Sequence, residues 1–569
     1  MIISFIKSIF RRRSLSQFGK EIDPDEVFLD SSNLPNFDTN QFEGRLITPI
    51  GRGSIIFLGV FFALIGFLFV GKLGLLQIRD GEAFELRAEK NRLRYTSLFS
   101  KRGVIYDRNA KELAYNDLNP DGDFSLRKYT ILSGLSHILG YVKYPSKDNA
   151  GFYWQTEFDG KDGLEKYYNK KLTGENGVKI IETNALSAVQ SESVVNPPKD
   201  GDNLTLSIDS EVQNKLHEII QKTASDFGFA GGAGVIMDVK TGELLTLASY
   251  PEYNSNVMTD GSDGSRIGGY SKNKSNPYLN RAVAGLYTPG SIIKPFVALG
   301  VLNEGIIDPN KKILSTGSIS IPNPYYPDKP TIFKDWKAHG WVDMREALSV
   351  SSDVYFYEVG GGYQGQKGLG IDNIDKYVKM FGFGEKTGID LPSEAEGTIP
   401  TPEWKKKNFD GEEWRVGNTY HTAIGQYGFQ VTPLQAVRAT AAIANDGVLL
   451  TPSFLLGGKQ NNKVQIDINK KYFQIVKEGM RMSATTGTGK GLNMTNLEIA
   501  VKTGTAELGA SKEQVNSWVV GFFPYDNPKY AFAAIMERGS VHNTIGALYV
   551  MRQLFDWMTV YKSEYLKNS

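Results

Sequence analysis

Residues 53–71, between Arg52 and Lys72, carry no charge and consist only of Gly, Ser, Ala and large aliphatic or aromatic side chains. The run is close to the ~20 residues a helix needs to cross the hydrocarbon core of a bilayer. Its apolar side chains go all round a helix, so a soluble fold would have to bury every face of it. The sequence therefore predicts a transmembrane helix over 53–76. A cleaved signal peptide fits less well, because a long polar stretch precedes the run and no small-residue cleavage site follows it. The positive-inside count is ambiguous, with Arg45 and Arg52 before the helix and Lys72, Arg79, Arg87 and Lys90 after it, although long domains translocate largely regardless of charge. The tail 1–52, with Arg11, Arg12 and Arg13, reads as cytosolic and mostly disordered.

With 569 residues the chain is too long for one ordinary domain, and two or three folded units are expected. Lys and Arg total 64 against 63 Asp and Glu, so no net basic field argues for nucleic acid. The absence of cysteine excludes disulfides, thiolate zinc sites and a cysteine nucleophile. His137, His217, His339, His421 and His542 are scattered without metal-ligand spacing, and no catalytic metal is expected.

After the apolar run, Arg102 to Ala114 reads as strand, turn, strand around Asp107-Arg108-Asn109. Weakly periodic pieces follow, and a separate α+β module is expected over 77–203, closed by the turn chemistry of Pro197-Pro198-Lys199-Asp200-Gly201-Asp202-Asn203. The remainder, 204–569, opens with a strand at Leu204 to Ile208 and a helix capped by Asp209 or Ser210. A hairpin is expected over 233–248, a helix from Thr432-Pro433 to Asp446-Gly447, and three further strands at 497–501, 518–523 and 530–536. Strands at both ends with helices between predict an antiparallel sheet covered by helices.

The sharpest chemical feature is Ser291-Ile292-Ile293-Lys294, preceded by Pro289-Gly290 and followed by the apolar helix Phe296 to Leu302. Serine and lysine three apart on a helix share a face, which sets an amine beside a hydroxyl. The spacing alone is weak: Ser4…Lys7, Ser125…Lys128 and Ser271…Lys274 repeat it. Only Ser291 follows a Pro-Gly turn and opens a helix able to hold it, and Pro295 is tolerable because it falls in the first turn. A lysine acts as base if burial or a second cation disfavours its charge. Lys502-Thr503-Gly504-Thr505 offers that second lysine, following a strand and preceding a hairpin. Lys240-Thr241-Gly242 and Lys386-Thr387-Gly388 are decoys of the same pattern. Thr488-Gly489-Lys490-Gly491 fails the phosphate-loop pattern, with Ala484 where the first glycine belongs.

Ser291…Lys294, then Ser351-Ser352-Asp353, then Lys502-Thr503-Gly504 resemble the three ordered motifs of penicillin-binding proteins and serine β-lactamases. Arg102 to Ala114 is similar to the signature of the class B pedestal. His421-Thr422-Ala423-Ile424-Gly425-Gln426 and Val431-Thr432-Pro433-Leu434-Gln435 are similar to the stretch before the third motif. Lys379 to Gly384, Thr387 to Pro392 and Thr401 to Lys405 are most similar to the penicillin-binding protein 2, elongation-specific branch. The resemblance covers about 45 to 560 and implies a peptidoglycan D,D-transpeptidase inhibited by β-lactams. The implied fold is α+β: a transpeptidase domain on an elongated pedestal behind one N-terminal transmembrane helix. It also implies the cytoplasmic (inner) membrane, with the catalytic domain on the far side.

By the same resemblance Ser291 attacks the penultimate D-Ala carbonyl, Lys294 takes its proton and Ser351 relays a proton toward the leaving amine. Lys502, Thr503 and Thr505, with Gly504 in the same motif, hold the terminal carboxylate. Backbone N–H groups of Ser291 and Thr505 form the oxyanion hole. No cofactor is implied. One departure is Asp353, where the motif usually ends in Asn: an ionised carboxylate only accepts, and between two lysines it tends to keep Lys294 protonated. An orienting role is assigned to it. His339 and His421, near the motifs but without cysteine or clustered carboxylates beside them, are expected to be structural or at the surface. A carboxypeptidase or β-lactamase of the same fold shares the acylation residues, and a non-catalytic β-lactam-binding scaffold or sensor is the non-enzymatic alternative. The partners implied are stem peptides, β-lactams, the membrane and a polytopic glycosyltransferase of the shape, elongation, division and sporulation family.

Overall fold

The computed structural model describes residues 52–567, apart from 83, 86–92, 121, 150–152, 184–188, 324–325, 327, 459–462 and 510–511. The cytosolic tail expected over 1–52, Ser4…Lys7 within it, and Arg87 and Lys90 lie outside the described residues, but for the backbone of Arg52. The chain divides into two compact units, Met1–Asn91 and Arg92–Ser569.

The first unit is helix α1 (Arg52–Gly74), continued by a π-helical turn over Leu75–Arg79. Together Gly53–Arg79 gives 27 residues, none of them buried, with a mean hydropathy of 2.6 over their most apolar 18-residue stretch. At 1.5 Å per residue this exceeds the ~30 Å of a hydrocarbon core, so a tilted span is accommodated.

In the second unit the short strands come first. Leu93–Leu98, Gly177–Thr183 and Val189–Asn196 form an antiparallel three-stranded sheet. Ile105–Tyr106 and Glu112–Asp117 are the expected strand, turn, strand. Asp107 makes the turn: its Oδ1 accepts from the N–H groups of Asn109 (2.8 Å) and Lys111 (2.9 Å). Leu204–Thr205, expected to open the C-terminal domain, instead pairs in parallel with Ile105–Tyr106. The same carboxylate ties the two together, since Asp107 Oδ2 accepts from Ser210 Oγ at 2.6 Å.

The larger part holds helices α2 (Ser210–Phe227), α3 (Lys294–Asn303), α4 (Met344–Val350), α5 (Asp353–Gly361), α6 (Val416–Ala423), α7 (Pro433–Ala444), α8 (Lys470–Thr485) and α9 (Ala547–Tyr561). Five strands, β1 (Gly231–Asp238), β2 (Leu244–Tyr250), β3 (Ala500–Leu508), β4 (Gln514–Phe523) and β5 (Tyr530–Ser540), form an antiparallel sheet in the order β2-β1-β5-β4-β3. Alternate side chains serve two cores. Ile236, Val519, Phe532 and Ala534 join Leu216 of α2 and Leu554 of α9. Val235, Val520, Ala533 and Ile535 join Val437 of α7 and Phe296 of α3 on the other face. Burial on both faces is why these strands read as continuous apolar runs. Asp209 caps α2, accepting from Glu211 and Val212 N–H, and Thr432 caps α7 in a box with Gln435.

Two buried histidines sit where residues 134–137 meet α2 and the end of β2. His137 Nε2 lies 3.4 Å from the Pro251 carbonyl, and His217 Nε2 lies 3.8 Å from Glu252, which accepts from the Gly134 and Ser136 N–H groups. Burial pushes both rings from 6.5 to about 4, and pushes Glu252 from 4.5 up to about 7. Below pH 6.5 the unfolded chain binds two protons that the folded rings refuse, so their contribution is lost as pH falls toward 4. Glu252 opposes them with one proton down to 4.5. The net expectation is a stability loss of roughly 1.4 kcal/mol per pH unit between 6.5 and 4.5, read as a falling Tm that flattens in a His217→Gln variant.

Candidate active site

The nucleophile candidate is presented by a tight 3-10 turn, Gly290–Ile293, that runs into α3. Every residue of α3 from Lys294 to Leu302 is buried, so the turn stands on a rigid post. Gly290 takes φ +55 and its N–H donates to the Gly425 carbonyl at 2.9 Å. A Cβ at 290 would lie 2.8 Å from the Thr505 carbonyl oxygen, so glycine alone fits. Trp518 of β4 anchors the approach, its Nε1–H donating to the Thr288 carbonyl at 3.0 Å.

The second motif occupies the break between α4 and α5. Ser351 ends α4 in the left-handed region, φ +60, and Ser352 caps α5. A non-glycine residue held there marks a position over-determined by its surroundings. Lys294 Nζ donates to Asp353 Oδ1 at 2.6 Å and to the Ser351 carbonyl at 2.8 Å, with Ser351 Oγ at 3.4 Å. Lys502 Nζ donates to Ser351 Oγ at 2.8 Å and to the Thr503 carbonyl at 2.8 Å. Both amines are fully buried. Burial, and then the nearby Lys294 charge, push Lys502 well below the ordinary lysine range, against the pull of Asp353.

Ser291, Ser351, Asp353, Thr503, Gly504 and Thr505 line one cleft of about 1050 Å³, with Lys294 and Lys502 bonded to its Ser351. The structure thus brings all eight sequence-predicted residues together. The placement of the third motif differs from expectation in one respect. The strand expected at 497–501 begins instead at Ala500 and continues as β3 through Leu508, so Lys502 to Thr505 lie within it, paired with Val520 to Ser517 of β4. Close approach explains Gly504, where a Cβ would stand 2.9 Å from the Pro289 carbonyl oxygen.

The decoys lie elsewhere. Lys240-Thr241-Gly242 is the β1–β2 turn, with Asp238 accepting from Lys240 and Thr241 N–H. Thr387 is bonded to Glu394 in a loop, and Lys128 lies in the strand Leu126–Tyr129. Thr488 is no phosphate loop: its Oγ1 accepts from Thr503 Oγ1 at 2.7 Å on the cleft wall.

Two residues that sequence reasoning did not assign to the site belong to it. Asp335, buried, accepts through Oδ2 from Ser352 Oγ (2.9 Å), Val354 N–H (3.0 Å) and Ser315 Oγ (3.3 Å), fixing the start of α5 and hence Ser351 and Asp353. Nothing in Lys334-Asp335-Trp336 signals this, because its partners are distant in sequence. His339 is a buried neighbour, Nε2 3.4 Å from Asp335 Oδ1 and edge-on to Trp336. His421, expected to be structural or at the surface, is half-buried and lines the cleft. The signal available was its place four residues before Gly425, which touches the nucleophile turn.

Comparison with known proteins agrees with this geometry. Residues 232–549 match the family profile of the penicillin binding protein transpeptidase domain, and 122–206 match the penicillin-binding protein dimerisation domain. The fold and cleft define a serine penicillin-binding transpeptidase, and the chain belongs to that family. It is of the class B, penicillin-binding protein 2 type. The peptidoglycan D,D-transpeptidase MrdA of Escherichia coli K12 is 29% identical over 615 residues, covering 89% of this chain and 94% of the relative. MrdA of Acinetobacter baumannii is 34% identical over 71% of this chain and 62% of the relative. The structure of penicillin-binding protein 2 in complex with MreC from Helicobacter pylori superposes with TM-score 0.69 at 29% identity, covering 83% of this chain and 99% of that one.

Proposed function

We propose that this chain crosslinks peptidoglycan stem peptides as a membrane-anchored D,D-transpeptidase of the elongation type, through an acyl-enzyme on Ser291. The observation that carries the reading is the meeting of three distant segments: the turn before α3, the α4–α5 break and β3 share one cleft. In this reading Ser291 Oγ attacks the penultimate D-Ala carbonyl and Lys294 takes its proton. Ser351, bonded to both lysines, passes a proton to the departing D-Ala amine. Asp353 orients Lys294. Lys502, Thr503 and Thr505 receive the stem carboxylate, with Gly504 letting the strand close on the turn, and the N–H groups of Ser291 and Thr505 hold the oxyanion.

The organisation goes with it: a cytosolic tail over 1–52, a membrane helix over 53–76, a pedestal over 77–203 and the transpeptidase domain over 204–569, on the far side of the cytoplasmic membrane. The complex of the H. pylori relative with MreC supports a protein partner for this chain, and a polytopic glycosyltransferase would supply the glycan strands. The 102–114 hairpin is bonded into the catalytic part through Asp107–Ser210 and the Arg108 N–H to Ile208 carbonyl bond at 3.0 Å. A partner gripping it would therefore act on a segment joined to α2. The test is purified protein given a stem peptide with an acceptor. Crosslinked dimer is expected; D-Ala release without dimer, in any acceptor, would make the chain a hydrolase. Mass spectrometry after penicillin should find the adduct on Ser291.

A further inference from the structure

We propose that the imidazole of His421 is the base that takes the proton shed by the acceptor amine when it resolves the acyl-enzyme. This rests on the transpeptidase reading above and concerns its second half-reaction. Acylation has its own proton carriers, since Lys294, Ser351 and Lys502 are buried and bonded to one another. Attack by an amine on the acyl ester leaves a proton on nitrogen, and that proton needs an acceptor on the open side of the cleft.

Most ionisable groups bordering the cleft are engaged. Asp353 holds Lys294, Asp335 holds the start of α5, Glu507 pairs with Lys512 at 2.6 Å, and the Tyr357 hydroxyl donates to the Lys334 carbonyl at 3.1 Å. His421 differs: among the described residues neither ring nitrogen has a hydrogen-bond partner, and the ring is half-buried on the cleft wall. Phe333 packs against it at a tilt, 5.3 Å away, with Tyr357 edge-on at 6.5 Å.

Backbone bonds tie its segment to the turn that carries Ser291. The Gln426 N–H donates to the His421 carbonyl at 2.9 Å, and the adjacent Gly425 carbonyl accepts from Gly290, the residue before Ser291, at 2.9 Å. Gly425 has φ +76, and a Cβ there would lie 2.2 Å from the Gly290 carbonyl oxygen, so the two turns touch only through glycine. The charges that reach the ring are Lys512 and Asp353, with Tyr357 packed beside it. Burial, and then Lys512, hold the imidazole below its ordinary value while Asp353 opposes them, which leaves it neutral at neutral pH.

In the step, the amine lone pair forms the C–N bond while the carbonyl pair moves onto the oxyanion. The N–H proton passes to the imidazole. The carbonyl reforms, the C–Oγ bond breaks with its pair, and Oγ takes a proton from water through Ser351 and Lys294. The imidazolium returns its proton to solvent, so ester plus amine gives amide plus alcohol.

The test uses the full chain in detergent, labelled penicillin for acylation, and a thioester donor with either D-alanine or hydroxylamine as acceptor. In both His421→Gln and His421→Phe, the latter keeping a ring against Phe333, acylation should stay within about threefold while transfer to D-alanine falls on the order of 10²-fold. Once the rate is corrected for the fraction of D-alanine present as free amine, its remaining acidic limb should vanish with it, and hydroxylamine, a weakly basic amine that sheds its proton readily, should be nearly unaffected. Unchanged transfer, an equal loss for both amines, a surviving acidic limb, or acylation lost in both variants would each overturn the proposal. Failure of the wild-type protein to acylate at Ser291 would instead remove the transpeptidase reading.

Discussion

A Ser291→Ala variant should fold normally, take no covalent penicillin label and form no crosslinked product. The side chain is only half-buried, and losing one hydroxyl from a turn whose backbone is fixed by Gly425 and Trp518 costs little stability. Chemistry has no substitute for it. In the proposed reaction Lys294, Ser351 and Lys502 move protons or hold charge, so removing the proposed nucleophile should lower crosslinking on the order of 10⁶-fold, as losing the serine of a catalytic triad does. Gel fluorescence after labelled penicillin checks the first part, and the melting temperature checks the fold. A label persisting at wild-type stoichiometry would move the nucleophile elsewhere.

The second large effect concerns folding. Glu165→Ala should destabilise the protein by about 3–5 kcal/mol, because it leaves two arginines buried without their counter-charge. Glu165 Oε2 accepts from Arg102 Nε at 2.5 Å and Oε1 from Arg127 Nε at 2.7 Å, and all three side chains are fully buried. Arg102 retains Thr173 and Asn169 as partners, whereas the two terminal nitrogens of Arg127 have no hydrogen bond among the described residues. Burial alone would raise Glu165, but Arg127 and Arg102 outweigh it and hold the carboxyl below its usual range. Its stabilisation is therefore present above the ordinary glutamate range and is lost on acidification through the lowered folded value. Denaturant midpoints of the two proteins check the magnitude. A variant within about 1 kcal/mol of wild type would show that the site admits water to the arginines.

What the sequence made legible was whatever depends on short spacing or on one periodicity. Ser291 and Lys294 share a turn, Asp107 builds its own hairpin, and the caps at Asp209 and Thr432 announce α2 and α7. The antiparallel sheet followed from strands whose apolar runs are long enough to be buried on both faces. The end of the 497–501 strand was misplaced because Lys502, Thr503 and Gly504 have the look of a turn, whereas pairing with β4 and the close approach of the Pro289 carbonyl keep them extended. Leu204–Thr205 looked like the first strand of a new domain because its partner, Ile105–Tyr106, is a hundred positions away. Asp335 carries no local mark at all, and the mark on His421, its place four residues before Gly425, does not say which way the ring faces; their importance arises from what the fold sets opposite them.

The central pairing of the sheet joins β1, Gly231–Asp238, to β5, Tyr530–Ser540, and the lysine of β3 lies nearer that late end of the chain than the serine does. Synthesis of such a polypeptide is sequential, and the hairpin of β1 and β2 waits with an open edge until the last strands arrive. A product terminated before β3 lacks Lys502, so no working cleft exists until nearly the entire chain has been made.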